Sequence, residues 1–184
     1  MSILKVARMG HPVLRTKAKP VPAAEIGSPR IQQLIDDMVE TMREYSGIGL
    51  AAPQVHASVR LFVAGIRPDE EAAPAKDDEK KKPALVTLIN PEVTLVGPAT
   101  KDGWEGCLSI PDVRGLVPRA HEVKVKAYDR TGKKLELSFS ALAARVVQHE
   151  TDHLNGILFF DRMPSLASLT FMDEFERFWR DDDE

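Results

Sequence analysis

The stretch His149-Glu150-Thr151-Asp152-His153 restricts the fold of this 184-residue chain more than any other. On an α-helix two imidazoles four residues apart sit on one face, so both can point at one ion. By the 3.6-residue period, Glu150 lies about 100° around the axis from His149 and about 60° from His153. There it can reach a water at the ion without being a ligand. The flanks agree with a helix: Ser140 suits an N-cap, Leu142, Val146, His149 and His153 follow at helical spacing, and Asn155-Gly156 is a stop. By itself the stretch also fits an amphipathic core helix with two hydrogen-bonded histidines.

A catalytic metal usually takes three protein ligands and keeps one position open. The chain has one cysteine, Cys107, in Trp104-Glu105-Gly106-Cys107-Leu108-Ser109. It has no internal disulfide partner, so it is a buried thiol, a nucleophile or a ligand. Gly106 lets backbone approach closely, and polar Glu105 and Ser109 bracket the thiol. A nucleophilic cysteine needs a histidine base, and the best-placed histidines are already paired on the helix. A Cys107-His149-His153 site is the more economical account.

These residues, together with Gly47-Ile48-Gly49-Leu50-Ala51-Ala52-Pro53-Gln54, closely resemble peptide deformylases. Three signatures of that family occur in its order, at residues 47–54, 105–109 and 148–154. The likeness covers nearly the whole chain, including Arg8-Met9-Gly10-His11-Pro12-Val13-Leu14. It implies an α+β fold: antiparallel β-sheets packed around a central metal-binding helix, in a single domain over residues 1–184.

The resemblance also implies removal of the N-formyl group from the N-terminal methionine of newly made polypeptides, with release of formate. It assigns Cys107, His149 and His153 to one divalent ion. Fe2+ is the ion the family implies, and Zn2+, Ni2+ or Co2+ also suit mixed Cys/His donors. Glu150 is then the general acid–base, with the Gln54 amide and the Leu108 backbone N–H facing the charge that develops on the formyl oxygen. Ile48, Gly49 and Gly106 fall to substrate binding, and Val146 to lining a methionine pocket. Glu105, Arg114 and Asp152 read as supporting residues, Asp152 in a helix-surface ion pair. Arg145 departs from the pattern, because some relatives carry an apolar pocket residue there.

Two rivals use the same residues. A zinc endopeptidase employs the same helix motif, but no histidine follows His153 to complete its ligand set. A catalytically idle peptide-binding module would not need every chemical residue intact.

The remaining composition sets bounds. A formal net charge of −3 gives no reason to expect nucleic acid as a direct ligand. No apolar run approaches the roughly 20 residues of a membrane span. Residues 1–12 lack the apolar core of a secretory signal, so the cytosol is the expected setting; the resemblance implies a bacterial-type cytosol and proximity to the ribosome. Oligomeric state is not legible.

Along the chain, Ser28-Pro29 opens a helix whose face is Ile31, Leu34, Ile35, Met38, Val39 and Met42. Val59 to Ala64 reads as a buried strand. Leu85 to Ile89 and Glu92 to Val96 read as strands separated by an Asn90-Pro91 turn. Val123 to Phe139 reads as a hairpin turning at Asp129 to Gly132, with one wet face. Residues 67–83 are charged and almost free of large apolar side chains, which predicts an exposed inserted loop. Ser168 to Arg180 reads as an amphipathic helix, either packed on the core or at a dimer contact, and Asp181 to Glu184 as an acidic tail.

Overall fold

The computed structural model describes residues 2–69 and 85–180. From residue 70 the expected insert at 67–83, and the acidic tail at 181–184, lie outside the described residues. The α+β expectation holds. Strands β1 (Gly49–Ala51), β2 (Leu61–Gly65), β3 (Leu85–Cys107), β4 (Ile110–Tyr128) and β5 (Lys134–Ser140) pair antiparallel in chain order. Among the described residues three α-helices accompany them: α1 (Pro29–Glu44), α2 (Ala141–Leu154) and α3 (Met172–Phe178). Among the described residues no helix is long and apolar enough to cross a membrane.

Helix α1 forms as its sequence predicts. Ser28 Oγ accepts from Ile31 N–H, Pro29 occupies the first turn, and Ile31, Ile35, Met38, Val39 and Met42 are buried. Strand β2 shows why a continuous apolar run is needed between two helices. Phe62 and Ala64 join the core that includes Ala144, Val147 and Leu154 of α2, while Leu61 and Val63 join the core of Ile31, Ile35 and Met38 of α1. Both faces are covered, so neither phase of the two-residue alternation can be polar. Full burial of a side chain such as Phe62 or Phe139 is worth about 1.5–3 kcal/mol.

Helix α2 is central, in contact with each of β1 to β5. It ends as predicted: Gly156 at φ 74° donates to His153 O and Ile157 donates to Asp152 O, closing the last turn. Its start differs from expectation. Ser140 holds the N-cap position without a capping bond, and its hydroxyl donates instead to Asp69 Oδ1. Leu142 faces solvent, so the buried stripe runs through Ala144, Val147 and Leu154.

Two other expectations are corrected. Asn90-Pro91 is not a turn between strands but an irregularity inside the single strand β3, with a register shift between Ile89 and Glu92. Asn90 takes φ 53°, and its side chain pairs with both Val21 N and Val21 O at 2.8 Å, standing in for a neighbouring strand. The C-terminal region is not one helix from Ser168. Thr170–Phe171 forms a short strand, β6, against Val113 and Arg114 of β4, and α3 spans only Met172–Phe178. Phe175 is its buried residue, in edge contact with Trp104.

The β4–β5 hairpin matches its pattern: Val123, Val125 and Ala127 are buried, and Lys124 and Lys126 are exposed. Asp129 Oδ1 caps its turn by accepting from Thr131 N, Thr131 Oγ1 and Lys133 N.

Candidate metal centre

Three elements converge on one point. Cys107 ends β3, His149 and His153 project from α2, and Gln54 sits in the 3₁₀ turn Ala52–Val55 that follows β1. The ligand atoms of Cys107, His149 and His153 all lie within 4.8 Å of one another. Cys107 Sγ is 3.2 Å from His153 Nε2. One thiolate and two imidazoles on a common point form a donor set that suits a divalent transition ion. The residues present therefore fit the metal expected from the sequence.

The partners of His149 agree with that fit. Its Nδ1 lies 2.9 Å from Glu105 Oε2, a carboxylate oxygen that can only accept, so Nδ1 carries a proton and Nε2 is the nitrogen left for an ion, which would displace any proton there. Desolvation lifts the buried Cys107 thiol, but His153 and His149 more than reverse this and hold it well below the ordinary thiol range. Burial lowers His149, yet Cys107 and Glu105 hold it well above its ordinary value. The cluster thus keeps its sulfur as thiolate, the form that binds metal.

Glu150 is buried on the same helix, with its Oε2 lacking a hydrogen-bond partner among the described residues. Its carboxylate packs into a space that only glycine leaves: a Cβ on Gly49 would fall 2.4 Å from Glu150 Oε1. Desolvation raises its pKa to about 7, against the pull of His149 and His153. A carboxyl with that value can take up and return a proton near neutral pH.

Gln54 is buried and fixed at both ends. Its Oε1 accepts from Ala51 N–H at 2.8 Å, and its Nε2 donates toward Cys107 Sγ at 3.5 Å and Ser109 Oγ at 3.3 Å. The N-terminal segment ties the two loops together, through Ala7 N to Gln54 O and Met9 N to Ser109 O. Of the other residues singled out in the sequence, Ile48 is exposed beside Gly49, and Leu108 is partly buried, with Cδ1 close over Gly47. Val146 is in the main core with Val147. Gly106 lies against the Arg114 guanidinium, where a Cβ would collide.

The surrounding charges hold one correction and two arginines, Arg119 and Arg162, absent from the sequence reading. Asp152 is not in a surface ion pair. It is buried between Arg119 Nη1 at 2.6 Å and Arg162 Nη2 at 2.6 Å. Arg119 also grips Glu105 with Nε at 2.8 Å and Nη2 at 3.0 Å. Glu105 is thereby held at a pKa of about 2 although burial alone raises it, because His149 and Arg119 favour its charged form. Arg119 left one trace in the sequence: it continues the inward-facing alternation Gly115, Val117, Arg119 on β4. A cation at such a position needs buried carboxylates opposite it.

Fold and donor set define an α+β protein in which a helix and a neighbouring hairpin share a Cys-His-His cluster that could hold a metal ion. The polypeptide deformylase family model matches residues 3–168. Peptide deformylase 2 of Nostoc sp. is 40% identical over 176 residues, covering 95% of this chain and 93% of the relative. A class I type b peptide deformylase from Acinetobacter baumannii, solved with Met-Ala-Ser bound, is 43% identical with a TM-score of 0.78, covering 89% of this chain and 100% of that one. Peptide deformylase from Thermotoga maritima is 38% identical with a TM-score of 0.76, over 90% and 100% of the two chains. The chain belongs to the polypeptide deformylase family, metal-dependent amide hydrolases that remove the N-formyl group of nascent peptides.

Proposed function

We propose that Cys107, His149 and His153 hold one divalent ion, Fe2+ in the native enzyme, and that Glu150 is the general acid–base of deformylation. The observation that carries this reading is the Glu150 carboxylate, wedged against Gly49 beside the Cys-His-His cluster. A divalent ion supplies Lewis acidity: it polarises a carbonyl and lowers the pKa of water from about 15.7 toward roughly 7. Glu150 takes the proton of the attacking water as its oxygen bonds to the formyl carbon. It then delivers that proton to the amide nitrogen as the C–N bond breaks, leaving formate and a free N-terminus. The Gln54 Nε2 and the Leu108 backbone N–H are the donors assigned to the oxygen that becomes negative.

Ile48, Gly49 and Gly106 bind the peptide, Gly49 through the edge of β1 and Ile48 just before it; among the described residues β1 pairs only with β2. Val146 lines the methionine pocket. Met-Ala-Ser, the peptide bound to the Acinetobacter relative, is what deformylation of formyl-Met-Ala-Ser leaves. Residues 1–184 act as one catalytic domain, in the cytosol and near the ribosome where formylated chains emerge.

The test compares kcat/KM for matched formyl-Met, acetyl-Met and internally blocked peptides on one metal-loaded preparation. The formyl carbon bears only hydrogen, so it is the least hindered and most electrophilic target. Formyl should be removed rapidly, acetyl far more slowly, and internal bonds should survive. Non-Met first residues should slow turnover rather than abolish it, because one methylene in such a pocket is worth about 1–3 kcal/mol. Cleavage of internal bonds at comparable rates would restore the endopeptidase.

Cys107→Ser should change the ion bound or weaken the site, because a hydroxyl is a harder and much less acidic donor than a thiol. Equal affinity of both proteins for the same ion, read by chelator competition, would make Cys107 a packing residue.

Gly49→Ala should displace the Glu150 carboxylate by the steric margin above and lower kcat by about 10²-fold with the metal retained. An unchanged kcat in this variant would show that the Glu150 position is not critical.

A further inference from the structure

We infer that Arg145 is a positioning residue for the metal ligands. Its guanidinium fastens the β3–β4 hairpin, which carries Cys107, to the helix that carries His149 and His153. The inference rests on the metal reading of the site and adds to it a residue that touches neither ion nor substrate.

Arg145 precedes His149 by about one helical turn, so its side chain leaves the same helix beside that ligand. It does not line a pocket. Nη1 donates to Glu105 Oε1 at 2.9 Å, Val117 O at 2.8 Å and Gly103 O at 3.2 Å, and Nη2 donates to Lys101 O at 2.7 Å. Gly103 and Val117 are register partners across the ladder, so one guanidinium spans both strands. The hairpin is shaped for it: a Cβ on Gly103 would fall 2.7 Å from Arg145 Nη2 and 2.8 Å from its Cζ.

The ladder is irregular at the site: its register shifts between Glu105 and Cys107 before pairing resumes at Cys107 and Ile110, so a contact from outside the ladder adds to its hold there. Glu105, two residues earlier, is where the hairpin meets the helix. Its Oε2 accepts from His149 Nδ1 and Arg119 Nη2, while its Oε1 accepts from Arg145 Nη1 and Arg119 Nε. A carboxylate gripped from both sides keeps the ring of His149 in one orientation. Arg119 still pairs Glu105 when Arg145 is replaced, so no buried charge is left alone and the fold has no reason to fail. A lysine carries the same charge but lacks the planar fork that reaches several acceptors.

The experiment uses the full chain as wild type, Arg145→Met and Arg145→Lys, each prepared metal-free and titrated with Co2+. Affinity is read by chelator competition, and geometry by the visible absorption of each protein at saturating Co2+. Loss of overall stability alone does not alter the cobalt bands of a saturated site. Arg145→Met should bind Co2+ about 10–100-fold more weakly and show displaced bands. Arg145→Lys should fall between it and wild type. A folded variant of either kind with wild-type affinity and wild-type bands overturns the inference, and if Arg145→Met does not fold, Arg145→Lys decides. Failure of the wild-type chain to bind Co2+ with a thiolate-to-metal band would overturn the metal reading itself. A difference between variants tests Arg145 alone.

Discussion

Glu150→Gln is expected to lower kcat by about 10²–10⁴-fold while metal content and KM for formyl-Met peptides stay near wild type. The amide matches the carboxyl in shape and fits the same space against Gly49, but it cannot take a proton. The variant should also separate catalysis from stability. Burial raises the Glu150 pKa above its ordinary 4.5 to about 7, so the unfolded chain releases this proton at lower pH than the folded one. As pH rises from 4.5 to 7, that difference increasingly favours the unfolded state, and above 7 the cost is constant. The metal-free glutamine variant should therefore gain stability over wild type as pH rises through this window, while turnover collapses. Denaturant unfolding at several pH values, beside single-turnover rates on metal-loaded protein, measures both. Near-wild-type turnover with metal confirmed would remove Glu150 from the reaction.

Arg119→Met should be the most destabilising of the substitutions considered. Arg119 forms a two-pronged bond with Glu105 and a further bond with Asp152, all buried. Breaking a buried pair by removing one partner costs about 3–5 kcal/mol, because the other charge stays behind without its counterion. Arg145 and Arg162 retain part of the pairing, which places the cost near about 3 kcal/mol. In a chain of this size that corresponds to a fall in Tm of roughly 6–12 °C. Acid sensitivity should change as well. Glu105 has a folded pKa near 2 against an ordinary 4.5, so its stabilisation is full above 4.5 and is lost as pH falls toward 2. Without Arg119 the folded pKa rises and the acid-dependent part shrinks. Calorimetry of metal-free protein between pH 3 and 7 reads both effects, and a Tm within about 2 °C of wild type would show that Glu105 and Asp152 do not depend on Arg119.

Features whose cause is local in the chain were legible in the sequence alone. The face shared by His149 and His153 follows from four-residue spacing and the helical period, and its end from Asn155-Gly156. Helix α1 follows from Ser28-Pro29 and an uninterrupted apolar stripe, and the β4–β5 hairpin from alternation around Asp129 to Gly132. The convergence of Cys107, His149 and His153 was legible for a second reason: few residue types bind metals, and the chain has a single cysteine.

Tertiary structure alone decided the features whose partners are distant. Asn90 reads as a turn residue until Val21, 69 positions away, takes both ends of its side chain and lets β3 run on. Asp152 reads as a solvated face until β4 brings Arg119 over it from 33 positions away, and Arg145 reads only as a departure from an apolar pocket position until the β3–β4 hairpin offers its carbonyls. The segment after Ser168 keeps only part of its helical promise because β4 presents a free edge at Val113 and Arg114 that Thr170 and Phe171 occupy. Periodicity reports which face of an element is apolar. It carries no information on which distant charge or open hydrogen-bonding edge the chain will fold against, and around the Cys107, His149 and His153 cluster such distant partners hold Glu105 against His149.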